Sequence, residues 1–243
     1  FNDINALTDV MLQHKFDFIV HAAGTTKAIS AAEYNLVNNI FTSNLAKAAA
    51  NEKCSCKKFV FISSLAASGP AKGLNNKVTE DMADPVTAYG KSKLAAEKAL
   101  AAINIPSIIL RPTAIYGPRE KDLFLLANYL NKGVDAYIGR VTQKLSFVHG
   151  RDVATASIRA LLANGANGIF NIGDGREYSR YDFADIIKKN LNKKAVRFHI
   201  PTFIVKAALA LIENINKSKP APVSREKLGE LLAENWSCDI EKA

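Results

Sequence analysis

The sequence predicts an α/β protein built on an open parallel sheet with helices on both faces. Three stretches predict it. Residues 17–24, 58–64 and 107–111 each hold a continuous apolar core, as strands covered on both faces do. Segments of helical character separate them, and the connections are short. A β, α, β, α, β alternation is the signature of that architecture.

Taken in order, residues 4–14 read as a short helix. Asp17-Phe18-Ile19-Val20-His21-Ala22-Ala23-Gly24 is the first strand, with His21 expected as a packed core histidine. Residues 30–51 are alanine-rich and helical. Lys58-Phe59-Val60-Phe61-Ile62-Ser63-Ser64 is the second strand, followed by a loop with Gly69-Pro70 and Gly73. A helix over about 86–103 leads to Ser107-Ile108-Ile109-Leu110-Arg111, a third strand stopped by Pro112. Beyond Gly117-Pro118 the pattern loosens. Helices are expected near 122–132, 151–163, 180–191, 202–216 and 224–235, and short strands near 145–148 and 168–172. Ligands on such sheets sit at the carboxyl ends of the strands. That gathers residues 22–26, 63–65 and 112–116 around one crevice.

At 243 residues the chain makes one large domain, or a domain with a small appendage. With 48% hydrophobic and 23% charged residues it has the balance of a soluble globular protein. The net charge of +9 is scattered in short clusters such as Lys188-Lys189 and Lys193-Lys194. No long basic run or basic–aromatic array marks a nucleic-acid surface. The charge reads as a solvated basic surface, with attraction for an anionic cofactor as the alternative. Cys54, Cys56 and Cys238 are odd in number and form no disulfide framework. Cys54 and Cys56 lack the further ligands of a zinc site, so no metal is expected. They read as reduced thiols of a cytoplasmic protein. The longest apolar stretch, 203–212, is interrupted by Lys206 and is too short to span a bilayer.

The chemistry points to Tyr89-Gly90-Lys91-Ser92-Lys93. At the opening of a helix, Tyr89 and Lys93 lie one above the other on one face. A phenol titrates near pH ~10 and is a poor base at neutral pH. A nearby ammonium and the positive helix end are expected to lower that value towards working pH, where proton transfer is most effective.

These residues resemble the extended short-chain dehydrogenase/reductase family, also called the NAD-dependent epimerase/dehydratase family, over essentially the whole chain. His21-Ala22-Ala23-Gly24 is similar to the family's strand-4 motif, whose backbone lines the cofactor. Val37-Asn38 and Asn44-Leu45 match its helix pattern, with Asn38 at the family's asparagine. Ile62-Ser63-Ser64 is similar to the strand-5 end, with Ser64 as the active-site serine. Tyr89 and Lys93 match the catalytic pair. Leu110-Arg111-Pro112-Thr113-Ala114-Ile115-Tyr116-Gly117-Pro118 matches the loop beside the nicotinamide. Phe147-Val148-His149, Asp152-Val153-Ala154 and Phe170-Asn171-Ile172-Gly173 match later motifs.

The resemblance implies a Rossmann-like doubly wound sheet, with 1–120 as a partial dinucleotide-binding domain. Residues 121–243 would be mostly a small α+β substrate-binding part, with segments near 145–172 returning to the sheet. It implies NAD or NADP as cofactor and a small-molecule substrate, and admits a second copy of the chain as partner; neither nucleic acid nor membrane is expected. Tyr89 would exchange a proton with a substrate hydroxyl or carbonyl, Lys93 would bias that proton and bind the nicotinamide ribose, and Ser64 would hold the substrate oxygen. Cofactor contacts would come from Ala22, Ala23, Gly24, Asn38, Ile62, Ser63, Tyr89, Lys93, Pro112, Thr113 and Ala114, with Asp3 and Ile4 at the adenine. Substrate contacts would come from Thr25, Thr26, Ser64, Leu65 and Tyr116.

Two departures shape the expectations. The family opens with a strand, a Gly-x-x-Gly-x-x-Gly loop and a helix that binds the pyrophosphate. The chain reads as beginning past that unit, with roughly 60 residues of two βα units and a third strand absent. The first strand is therefore expected at a sheet edge, exposed or paired with a neighbouring molecule. No tightly bound dinucleotide is expected in this form, and NAD cannot be told from NADP. Secondly, nucleotide-sugar epimerases usually carry an arginine just before the 147–149 strand; Leu145 stands there, beside Lys144. The tail Leu228-Gly229-Glu230-Leu231-Leu232 with Trp236 and Asp239 is more similar to reductase and hydroxysteroid-dehydrogenase-like branches. The expectation is an NAD(P)-dependent oxidoreductase or epimerase, favoured as a reductase or dehydrogenase. The alternatives are a nucleotide-sugar epimerase or dehydratase, and a non-catalytic dinucleotide-binding protein or inactive fragment.

Overall fold

The computed structural model describes residues 1–215 and 225–243, so the expected helix limits at 216 and 224 lie outside the described residues. In chain order the first half comprises α1 (Ile4–His14), β1 (Phe18–His21), α2 (Ala31–Tyr34), a π-helical turn (Asn35–Ile40), α3 (Phe41–Ala49), β2 (Lys58–Ile62), a 3-10 turn (Leu65–Ala67), α4 (Ala88–Ala101), β3 (Ser107–Pro112) and β4 (Ala114–Tyr116). The second half adds α5 (Asp122–Asn131), β5 (Val134–Ile138), β6 (Lys144–Leu145), β7 (Phe147–His149), α6 (Gly150–Leu162), β8 (Gly168–Ile172), β9 (Tyr178–Ser179), α7 (Asp182–Leu191), β10 (Val196–Ile200), α8 (Thr202–Ile215) and α9 (Arg225–Leu232).

β1, β2, β3 and β8 form one parallel sheet in that spatial order. Strand β2 shows how the sequence dictates it. Phe59 and Phe61 enter a cluster with Met11 of α1, Ala46 and Ala49 of α3, and Ala96 and Leu100 of α4. Val60 faces the other way, towards Val153 and Ala160 of α6, with Ile108, Leu110 and Ile172 from neighbouring strands. Both faces are covered, so the polar alternation of a half-exposed strand disappears.

The sheet stops at β1, the edge placement expected from the sequence. Its composition is that of an interior strand, yet Phe18 is 43% and Val20 40% exposed. Among the described residues no helix is long and apolar enough to cross a membrane.

Several local expectations are corrected. The helix expected over 30–51 is three pieces, because six residues around Asn38 widen into a π turn. Pro112 ends β3 as expected, itself the last paired residue, opposite Ile172. Strands β4, β5, β9 and β10 were not expected. β4 pairs with β7 in parallel, β6 with β9 antiparallel, and β5 with β10 in parallel. The β5–β10 pair is anchored at its base by Asp135. That carboxylate is fully buried and accepts from Lys188 Nζ of α7 at 2.8 Å and from Arg197 Nε of β10 at 2.9 Å.

Candidate active site

The site assembles where β1, β2 and β3 end and α4 begins. Thr87 caps α4, its Oγ1 accepting from Gly90 N at 3.1 Å, which satisfies a helix-end donor. Gly90 is required by proximity. A Cβ there would lie 2.2 Å from the Ala66 carbonyl oxygen, so only glycine lets α4 pack this closely on the 3-10 turn. Ser64 opens that turn, its Oγ accepting from Ala66 N at 3.2 Å. The close approach sets the turn opened by Ser64 against the first turn of α4, which bears Tyr89.

Lys93 follows one turn later and is 4% exposed. Its Nζ donates to the Ile62 carbonyl at 2.7 Å and lies 4.4 Å from the centroid of the Phe61 ring. Burial pushes its ammonium down to about 8, with the Glu97 carboxylate opposing the shift. The expected lowering at Tyr89 is not found. Burial raises the phenol above its ordinary value, Glu230 and Tyr34 add to the rise, and the Ser64 hydrogen bond only partly offsets it.

Across the crevice the π turn aims Asn38 at the 22–26 segment. Asn38 is fully buried. Its Oδ1 accepts from Thr25 N at 2.8 Å, and its Nδ2 donates to the Thr25 carbonyl at 3.0 Å and to Ser92 Oγ at 2.9 Å. One amide thus ties the loop after β1 to α4. Gly24 fits beneath it, since a Cβ there would meet Asn38 Oδ1 at 2.9 Å. Thr26 accepts at its carbonyl from Tyr34 OH, and the Tyr34 ring meets Tyr89 edge-on at 6.1 Å.

Other expected residues are placed less directly. Ser63 is buried, with its hydroxyl turned to Glu97 and its N–H donated to the Leu110 carbonyl at 2.8 Å. The Leu65 side chain packs into a small core with Ala71, Val78 and Cys238, away from any ligand. Thr113 is 6% exposed and its Oγ1 has no partner, while Ala114 next to it is exposed. Tyr116 packs edge-on against His149 and Phe183. Asp3 is occupied as the cap of α1, accepting from Asn5 N and Ala6 N. Ile4 is exposed, and Phe1 packs on His21 and Phe41 at the carboxyl end of β1. His21 is a core histidine as expected. It is 4% exposed, bonded through Nε2 to Thr42 Oγ1, and held down to about 4, chiefly by burial and also by Lys93.

Three residues at the site escaped the sequence reading: Tyr34, Glu97 and Glu230. Only Glu97 left a signal. It continues the Tyr89–Lys93 stripe by another four positions, and Arg111 within an apolar strand demands a buried acid. Among the described residues no cluster suits a metal ion. A cavity of about 680 Å³ lies between the far half of α4 and β3–β8; neither Tyr89 nor Lys93 lines it.

Known proteins resemble this chain in sequence and in fold. A family model, described as the NAD dependent epimerase/dehydratase family, matches residues 1–173. A UDP-glucose 4-epimerase of Vibrio cholerae is 32% identical over 84% of this chain and 66% of its own length. A ceramide reductase of Caulobacter vibrioides is 25% identical over 91% of this chain and 65% of its own. The chain thus spans about two thirds of the length of these curated relatives. A UDP-glucose 4-epimerase from Thermotoga maritima, solved with UDP-glucose, superposes with a TM-score of 0.76 at 19% identity. It covers 100% of this chain and 74% of that one, which shows a common fold.

Proposed function

The chain belongs to the NAD-dependent epimerase/dehydratase family, and from that premise we propose that it handles the proton in oxidation or reduction of a secondary alcohol or carbonyl. The observation that carries the reading is the close packing of the turn opened by Ser64 on the helix start that bears Tyr89, one turn before a buried Lys93. Ser64 and Tyr89 bind the reacting oxygen of the substrate. Tyr89 holds or accepts its proton. Lys93 keeps positive charge beside that oxygen and offers its remaining hydrogens to a hydroxyl ligand.

The crevice fits the nicotinamide half of NAD. Thr113 Oγ1 is a buried polar atom in need of a partner, and the close packing at Gly24 keeps the backbone of 22–24 open to a ligand. Ala22–Gly24, Ile62–Ser63 and Pro112–Ala114 would line the cofactor, with Asn38 fixing the first of these loops. When bound, the dinucleotide supplies or accepts the hydride. Asp3 and Ile4 are proposed at the adenine end, and residues 1–120 and 121–243 as the cofactor and substrate parts.

The favoured subclass is a reductase or dehydrogenase of a small or moderately apolar substrate touching Thr25, Thr26 and Tyr116. Its support is Leu145 in place of arginine, together with Lys144, whose ammonium is paired with Glu177 at 2.8 Å. Neither offers the fork that grips a diphosphate. A nucleotide-sugar epimerase is the second reading. It is favoured by the Vibrio relative and by a cavity of about 330 Å³ lined by Arg140, Arg180 and His199. Turnover of simple secondary alcohols, ketones and UDP-sugars, measured in the protein and in Tyr89→Phe, tests both readings. The variant is expected to lose about 10²–10⁴-fold in rate while its cofactor titration holds. Near-normal turnover in Tyr89→Phe would sink the proposal, and a rate confined to UDP-sugars would select the second reading.

A further inference from the structure

Helix α4 carries a third ionisable group one turn beyond Lys93: Glu97, 3% exposed. The proposed chemistry makes no use of it. A buried carboxylate is costly unless its charge and lone pairs are met. Here residues from other segments meet them. Ser63 Oγ donates to Glu97 Oε1 in a short hydrogen bond. Arg111 Nε donates to Oε1 at 3.0 Å, and Arg111 Nη2 to Oε2 at 2.6 Å. Arg111 is itself 1% exposed. It directs Nη1 to Ser68 Oγ at 2.8 Å and to the carbonyls of Glu80 and Met82 at 3.0 and 3.2 Å.

Stability alone does not call for such a pair, because well-packed apolar residues of similar volume hold a core as well or better. What the pair supplies is registry. Each segment it joins is a wall of the site. Ser63 precedes Ser64. Ser68 follows the 3-10 turn that Ser64 opens. Arg111 precedes Pro112 and Thr113. Helix α4 bears Tyr89 and Lys93. A guanidinium and a carboxylate meet as two planar forks, which fixes the helix in rotation as well as in distance.

We propose that Glu97 is a positioning residue: with Arg111 it sets Ser64 and the Pro112–Thr113 segment in register against Tyr89 and Lys93. This rests on the reading of Ser64, Tyr89 and Lys93 as the proton-handling groups. Charge supports the geometry. The groups facing Lys93 are the Ile62 carbonyl, the Phe61 ring, a neutral His21 and Glu97. Of these only Glu97 is anionic, while its ion pair with Arg111 is neutral overall, so Lys93 remains the net cation of the crevice.

Amide hydrogen exchange and an NMR titration of the lysine side chains test the proposal, and neither depends on turnover. An error in the catalytic reading therefore shows separately, as full activity in Tyr89→Phe with the behaviour below unchanged. In Glu97→Gln, exchange at residues 64–67 is expected to accelerate about tenfold or more while residues 41–49 of α3 keep their protection. Lys93 is expected to titrate at lower pH in the same variant. The double replacement Glu97→Met with Arg111→Leu substitutes apolar volume, keeps the sheet folded and is expected to show the same local acceleration. Uniform acceleration across the whole sheet, or unchanged exchange at residues 64–67 in the double variant, overturns the positioning role.

Discussion

At Tyr89 burial outweighs charge, and that single balance separates the sequence reading from the structure. The spacing to Lys93 is legible in the chain; the depth of the phenol is not, because it depends on α2 and the 3-10 turn packing against α4. His21 gives the opposite lesson, since an imidazole inside an apolar strand announces its own burial. Its hydrogen bonds also fix its tautomer: Thr42 Oγ1 donates to the Asn38 carbonyl at 2.7 Å, so it accepts from His21 Nε2–H. Protonating this ring is disfavoured in the fold, with its value held at about 4 against 6.5 when unfolded. The folded state then binds fewer protons than the unfolded one between those values. The stability tied to His21 is fully present above pH 6.5 and is lost as pH falls through 4. The loss is expected to reach about 3 kcal/mol. Urea unfolding of the protein and of His21→Gln at pH 7 and pH 4 checks it. The wild type should lose more over that interval, and equal losses would refute the assignment.

At the scale of elements, contact with a neighbouring backbone decides what each helix tolerates. Gly90 and Gly229 both lie in helices, yet a Cβ at Gly90 meets the Ala66 carbonyl at 2.2 Å, whereas one at Gly229 meets nothing within 4 Å. Gly90→Ala is therefore expected to cost about 1–3 kcal/mol and to push Tyr89 off Ser64. Gly229→Ala is expected to gain up to about 1 kcal/mol from helix propensity. Urea midpoints of the two variants should move in opposite directions; movement in the same direction would count against the packing. The same distinction explains what could be read from the chain. α1, α4 and strands β1 to β3 follow from local periodicity and appear within a few residues of where the sequence puts them. β4, β5, β9 and β10 are two to five residues long, and each exists only because a distant partner lies beside it. The π turn at Asn38 is likewise tertiary in origin, set by the amide's bonds to Thr25 and Ser92.

At the scale of residues 1–243, β1 forms one margin of the four-stranded sheet. Phe18 and Val20 of β1, like Phe16 and Val10 before it, are each at least 40% exposed, and among the described residues the strand pairs only with β2. An apolar edge of this kind recruits other strands. For a polypeptide of residues 1–243, concentration-dependent self-association is expected, weakened by Val20→Lys, and sedimentation velocity of both forms measures it. Identical profiles would remove the edge as the cause. The all-parallel pairing also sets a clock. Phe18 meets Lys58, Phe59 meets Ser107 and Ile108 meets Gly168, separations of 58 − 18 = 40, 107 − 59 = 48 and 168 − 108 = 60 positions. No hairpin nucleates any of these pairs, so every strand waits for a long loop to close, and such topologies fold late and slowly. On the ribosome, β2 can join β1 once made, but its other edge stays unpaired until β3 is made, and that of β3 until residue 172 has emerged. Each apolar strand in turn is the growing margin of the sheet for as long as translation lasts.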